Sequence, residues 1–216
     1  MNVSKPIVII NFKKLTGDKA HELAHELAKV SDSITDSCEI ILAIQPKDII
    51  SFSKFKRYKI VVQDIFSSID GDLEYYFSDK NIDHKNVYGI LLNHPEKKMN
   101  NALLDRYVME SNKFGLRILL CSSSIDEATV LSKYNPSFIG IESESLIGKS
   151  GSFLNHCPEI VKDAKNKVNN KILIGAGIKD KHDFKHVLND GGSGVLISSI
   201  ILNSNDPKNA LEAFIS

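Results

Sequence analysis

A histidine, a glutamate and a lysine stand where apolar runs of this chain stop. His94 follows "GILLN" and precedes Pro95, Glu142 closes "FIGIE", and Lys13 follows "IVIINF". Brought to one place, the three supply a hydrogen-bond donor, a base and a cation. That set suits proton abstraction beside a carbonyl: the carboxylate takes a carbon-bound proton, the imidazole donates to the carbonyl oxygen, and the ammonium stabilises the enediolate. Pro95 fits the first turn of a helix, and a helix N-terminus next to His94 favours the neutral ring over the charged one. Each residue alone says less. A single histidine more often caps or packs, and a single lysine is ordinary surface. A carboxylate that ends a buried strand, in contrast, needs a partner or a task.

Other patterns compete for attention. "HELAH" (His21 to His25) has the HExxH spacing of a zinc hydrolase, with Glu22 as its base. The extended form of that motif needs Gly at 28 and His at 31, where this chain has Ala28 and Ser31. His182 and His186 repeat the i, i+4 spacing, which shows how readily it arises. "IGKS" resembles the end of a nucleotide-binding loop, but the pattern calls for glycine at Ser143. "KFKRYK" (Lys54 to Lys59) lacks the repeated aromatic positions of an RNA-binding surface and reads as a solvated turn.

The residues at strand ends can meet only if the strands lie side by side and point the same way. Eight β-prone apolar runs recur: Ile7 to Asn11, Glu39 to Ile44, Lys59 to Gln63, Val87 to Leu92, Arg117 to Cys121, Phe138 to Glu142, Ile172 to Gly175 and Gly194 to Ser198. They begin about 20 to 35 residues apart, the length of a βαβ unit, and are continuously apolar, as strands covered on both faces should be. The segments between them have helical period. In Asp18 to Val30, for instance, Ala20, Leu23, Ala24, Leu27 and Val30 share one face. Strict alternation over the chain predicts an α/β fold, a single closed (β/α)8 barrel spanning residues 1–216, with an open doubly wound sheet as the rival. In such a barrel the C-terminal strand ends face the site. Those ends are Asn11-Phe12-Lys13, Gln63, Asn93-His94, Glu142, Gly175-Ala176-Gly177 and Ser198-Ser199.

Composition narrows the partners. Lysine plus arginine and aspartate plus glutamate each number 27 among 216 residues, so there is no overall basic field for nucleic acid or an anionic membrane. No apolar run reaches the roughly 18 residues of a membrane span, and "MNVSKPIVIINFKK" reads as a first strand instead of a signal peptide. Cys38, Cys121 and Cys157 are odd in number and far apart, which suits a reduced cytoplasmic protein and argues against sulfur-bound structural zinc.

The stretches that carry the chemistry resemble the triosephosphate isomerase family, in particular its short archaeal type, along the whole chain. "NFK" is similar to the family's Asn-aromatic-Lys opening, "LLNHPE" to its histidine strand end, and "IESESLIG" to the Glu-led start of its mobile sixth loop. "GAGI" and "GVLISS" are similar to its phosphate loops, although such loops occur in many phosphate-binding barrels. The resemblance implies a TIM barrel that interconverts dihydroxyacetone phosphate and glyceraldehyde 3-phosphate, with no metal or organic cofactor. It implies Glu142 as base, His94 as electrophile, Lys13 and Asn11 as charge and oxyanion partners, and Glu96 as a second acidic position. It also implies that backbone N–H groups of Gly148, Gly177, Ser198 and Ser199 hold the phosphate, the last two opening a short helix. A cytoplasmic homodimer is expected, its contact including Asp70 to Phe77 through Leu73, Tyr75, Tyr76 and Phe77.

The chain departs from the family pattern at Ser143, where a proline is usual, at "GKSGS" (Gly148 to Ser152), at Pro95, where serine is commoner, and in "DIFSSIDGDLEYY" (Asp64 to Tyr76), which lacks the family's Thr-Gly turn. A weakly active or inactive phosphate-sugar-binding barrel, another phosphate-barrel enzyme of amino-acid biosynthesis and, remotely, the zinc hydrolase are the alternatives.

Overall fold

The computed structural model describes residues 5–63, 73–142 and 152–216. Gly148, and the third-loop residues before Leu73, therefore lie outside the described residues. All eight apolar runs form strands: β1 (Ile7–Asn11), β2 (Glu39–Ile44), β3 (Lys59–Gln63), β4 (Val87–Leu92), β5 (Arg117–Ser122), β6 (Phe138–Ile141), β7 (Ile172–Ile174) and β8 (Gly194–Ile197). All are parallel, each pairs with the next, and β8 pairs with β1, Ile7 standing opposite Gly194. The sheet closes as a barrel, and the open-sheet rival is set aside. Glu142 is the first residue beyond β6, one place later than its run suggests.

The continuous apolar character of the strands has a direct structural cause. Alternate residues face opposite sides, and here both sides are covered. Ile9, Ile41, Val61, Leu91, Leu119, Leu173 and Leu196 fill the barrel interior. Their neighbours Ile10, Leu42, Val62, Ile90, Leu120, Ile174 and Val195 pack outward against the helical layer.

That layer consists of α1 (Asp18–Leu27), α2 (Asp32–Ser37), α3 (Ile49–Ser53), α4 (Leu73–Phe77), α5 (Asn101–Lys113), α6 (Ile125–Leu131), α7 (Ile160–Lys167), α8 (Lys181–Asn189), α9 (Ser199–Leu202) and α10 (Pro207–Ile215). Helix α1 buries Ala20, Leu23, Ala24 and Leu27 as its spacing predicts. It stops at Leu27, short of Val30. The chain there tightens into i→i−3 bonds, Lys29 N–H to Glu26 O at 3.1 Å and Val30 N–H to Leu27 O at 3.1 Å, and Val30 reaches the core from this turn. In α4, Leu73 and Phe77 are buried, so of the four residues expected at a subunit contact only Tyr75 and Tyr76 present surface. Among the described residues no helix is long and apolar enough to cross a membrane.

Candidate active site

The chain leaves β1 through a left-handed residue. Lys13 has φ +51°, which costs an L-residue about 1–2 kcal/mol. Three side chains hold it there. Asn11, itself buried, accepts the Lys13 N–H through Oδ1 at 2.8 Å. Gln63 Nε2 donates to the Lys13 carbonyl at 3.1 Å and to the Ala43 carbonyl at 3.0 Å, and Gln45 Nε2 donates to the same Lys13 carbonyl. The ammonium is thereby turned over the barrel mouth, where Nζ lies 3.2 Å from Glu96 Oε1. Burial pushes the Glu96 carboxyl up, but the hydrogen bond and charge of Lys13, with His94 and Lys14 behind it, outweigh this and hold it below its ordinary range.

A second left-handed residue ends β4. Asn93, at φ +60°, donates from Nδ2 to the Cys121 carbonyl at 2.8 Å and to Glu127 Oε1 at 3.0 Å, and accepts the Met99 N–H at 3.0 Å. Glu127 is in turn fixed by both of its 2.7 Å bonds from Lys98 Nζ and by the Ser123 N–H at 2.6 Å. Burial pushes the Glu127 carboxyl up, yet these donors together hold it low. The turn they fix aims His94 into the mouth. His94 caps a short 3-10 turn, Pro95–Lys97, as the Pro95 spacing predicts, and its Nδ1 accepts the Glu96 N–H at 3.3 Å. A ring whose Nδ1 is an acceptor carries its proton on Nε2 when neutral.

That Nε2 faces Glu142. The separation from Nε2 to Oε1 is 3.3 Å, with the histidine 9 % and the glutamate 6 % exposed. The approach is off the bonding direction, so Oε1 accepts no aligned hydrogen bond among the described residues. The Glu142 N–H donates to the Ser122 carbonyl at 2.8 Å. Its side chain lies across Gly175, where an added Cβ would come within 2.4 Å of Glu142 Cγ. Cys121 packs beneath. Burial, then the charge and hydrogen bond of Glu142, push its thiol far above the ordinary range, so it stays protonated.

A cleft of about 170 Å³ brings together Asn11, Lys13, His94, Glu96, Glu142, Gly177, Ser198 and Ser199. These are all the expected site residues that the structure describes. Gly177 has φ +74° and its carbonyl accepts the Phe153 N–H at 2.8 Å, leaving the turn after β7 open toward the cleft. Ser198 Oγ donates to the Asn11 carbonyl at 2.8 Å, tying β8 to β1, and Ser199 opens α9 as expected. Sequence reasoning missed Gln45 and Glu127 as supports and noted Gln63 and Asn93 only as strand ends. Nothing local in their sequence marks them, because each bonds a residue distant in the chain and brought near only by the barrel.

The "HELAH" histidines sit on α1, outside the barrel. His21 Nε2 is 2.9 Å from Ser51 Oγ with its ring 4.4 Å from that of Phe52, and His25 meets the edge of Phe55 at 5.6 Å. Among the described residues the one close cluster of three possible metal ligands is Asp180, His182 and Asp183. There, however, Asp180 caps α8, and Asp183 accepts from Ser152 Oγ and the Lys179 N–H.

The closed parallel barrel, with a carboxylate, an imidazole and an ammonium converging at its C-terminal mouth, belongs to the (β/α)8-barrel class. Solved structures agree on the fold. A mutant tryptophan synthase α-subunit of Pyrococcus furiosus superposes with a TM-score of 0.71 at 14% identity, covering 98% of this chain and 99% of that one. Thiamine phosphate pyrophosphorylase from the same organism gives 0.62 at 17%, covering 97% and 93%. Sequence similarity is more specific. The triosephosphate isomerase of Methanosarcina barkeri is 30% identical over 97% of both chains. That of Methanobacterium bryantii is 28% identical over 98% of this chain and 96% of its own. The family model for triosephosphate isomerase matches residues 6–215, and the chain belongs to the triosephosphate isomerase family.

Proposed function

We propose that this chain interconverts dihydroxyacetone phosphate and glyceraldehyde 3-phosphate by a one-base enediolate mechanism. The supporting observation is the pairing of a buried carboxylate, whose Oε1 lacks an aligned hydrogen bond among the described residues, with an imidazole whose Nδ1 accepts the Glu96 N–H and whose Nε2 faces the same space. Glu142 takes the proton from the carbon beside the carbonyl and returns it to the neighbouring carbon. His94, its Nδ1 accepting the Glu96 N–H, donates from Nε2 to the substrate oxygen that gains charge. Lys13 supplies the fixed positive charge for the enediolate, and Asn11 holds the backbone that aims it. Glu96 positions Lys13. Backbone N–H groups at Gly177, Ser198 and Ser199 receive the phosphate, since first-turn amides have no intrahelical acceptor, and Gly148 completes the set.

A cytoplasmic homodimer accompanies this reading. Tyr75, 64 % exposed, and Ile50, 39 % exposed, border a hollow lined also by Pro46, Ile49 and Tyr76, and aromatic residues are favoured at interface cores. A coupled isomerase assay on the purified protein tests the function. Turnover in both directions is expected, and phosphoglycolate should compete. Absence of turnover, together with absence of any thermal shift by phosphoglycolate, would leave only a non-catalytic barrel.

A further inference from the structure

The opposite, N-terminal mouth of the barrel carries its own concentration of charge. Glu39, Lys59 and Arg117 are the first residues of β2, β3 and β5, and Lys171 immediately precedes β7. Counted by twos, they share a face with Ile41, Val61, Leu119 and Leu173 of the barrel interior. Their side chains therefore start from the inner wall, at the end of the barrel remote from His94 and Glu142. Lys59 Nζ lies 5.5 Å and the Arg117 guanidinium 4.4 Å from the centre of the Tyr88 ring. Lys171 Nζ lies 5.6 Å from the centre of Phe138.

Arg117 Nη1 donates to Tyr88 Oη at 2.5 Å. The phenol's own proton thus points elsewhere, and it has no acceptor among the described residues. A cleft of about 170 Å³ opens between Glu39, Tyr88, Arg117, Phe138 and Lys171. Lys5 borders it too, but is drawn to Asp36 at 3.8 Å. Among the described residues Lys59, Arg117 and Lys171 take part in no ion pair, and Glu39 is the one carboxylate lining the cleft.

Long cations can cover an apolar wall while their heads rest in water, and that alone would need no ligand. Two features argue for more. Two cations share a single aromatic ring, so each raises the cost of the other's charge, and a hydroxyl proton stands ready among them. We propose that this mouth is a binding site for a small phosphoryl dianion, held by Arg117 and Lys171 with Tyr88 Oη as hydrogen-bond donor. Inorganic phosphate and a short phosphomonoester share the chemistry. A nucleic acid does not suit it, because the mouth is a confined cleft on a chain with equal numbers of acidic and basic residues.

The test separates the two mouths by titrating ¹⁵N-labelled protein with inorganic phosphate, and separately with glycerol 3-phosphate, at constant ionic strength in chloride. Saturable shifts are expected at the amides of Ile118, Leu119 and Ile172, distinct from those at Gly177 and Ser199. Arg117→Gln and Lys171→Gln should each weaken the first set about tenfold while leaving the second set and the isomerase rate unchanged. The ligand that saturates at the lower concentration identifies the source. Shifts that chloride alone reproduces, or that persist unaltered in both variants, would overturn the proposal. Because the readout lies at the far mouth, a failure here is distinguishable from a failure of the isomerase reading.

Discussion

His94 Nε2 and Glu142 Oε1 face each other across 3.3 Å although they leave strands β4 and β6, which β5 separates. The fold makes no use of the glutamate oxygen, which accepts no aligned hydrogen bond among the described residues. Such a pairing is a site waiting for an intervening group. His94→Gln and Glu142→Gln preserve approximate volume, so both should fold. Each should lower kcat about 100- to 10,000-fold, the usual worth of one positioned acid or base. Wild-type rates in both, with unchanged circular dichroism, would remove the roles assigned to them.

Gly175 is the floor on which Glu142 rests. A methyl group there would stand 2.4 Å from Glu142 Cγ and 2.9 Å from its Cδ, so the carboxylate must move. Gly175→Ala is expected to cut kcat about 100-fold, the cost of a misplacement near 1 Å, while the melting temperature falls little. A loss of stability in proportion to the loss of rate would mean that the glycine serves the fold instead.

Lys13 separates backbone from charge. Its φ of +51° suits glycine better than any L-residue with a side chain. Lys13→Gly should therefore be about 1 kcal/mol more stable than Lys13→Ala, although both lose the ammonium and fall alike in activity. Equal stability of the two in urea unfolding would show that Gln45, Gln63 and Asn11 do not hold that conformation against strain.

Sequence pattern reaches the strands and the reacting groups but not their supports, and the reason is physical. Ile7 to Asn11 or Val87 to Leu92 announce themselves because burial on both faces demands continuous apolar residues. His94 and Glu142 stand out because polar groups at the ends of such runs are conspicuous. Gln63 looks like any polar residue at the end of a strand, and its two bonds, to Lys13 and Ala43, exist only once β1, β2 and β3 are adjacent. The same holds for Glu127, a helix residue whose partners Asn93 and Lys98 arrive from the preceding βα unit. At Val30 the mismatch has a different cause: an apolar face continues through a tightened turn as well as through a helix, so spacing alone does not show that α1 stops at Leu27.

The Glu127 cluster also sets a pH dependence. Its carboxyl is held below the ordinary value by Lys98, the Ser123 N–H and Asn93, against the upward push of burial. Between the folded and unfolded values the unfolded chain binds more protons, so stability rises with pH there. The contribution is fully present above the unfolded value, about 4.3, and is lost as pH falls through the folded one. Glu127→Gln should thus flatten the acid limb of a stability-against-pH curve, measured by thermal melts from neutral pH downward. An acid limb identical to wild type would place the titration elsewhere.

The exposed apolar hollow and the site share one residue. Lys47 lines the hollow beside Lys13, His94 and Gln63, and it also lines the exposed apolar hollow of Ile50, Tyr75 and Tyr76. A second subunit seated on that apolar surface would therefore stand beside the mouth that holds Lys13 and His94. Tyr75 is the better probe of the contact than Tyr76, since it is 64 % exposed and its replacement disturbs little of the core. Tyr75→Glu adds a charge where an interface would have to desolvate it, and like charges from two copies would meet around a two-fold axis. The wild type is expected to sediment as a dimer at micromolar concentration, and Tyr75→Glu should shift toward monomer with a parallel fall in kcat/KM that higher protein concentration restores. A wild type that sediments as a monomer while turning over at the same rate as Tyr75→Glu would mean that Gln45, Gln63 and Asn11 hold Lys13 in place without help from a partner.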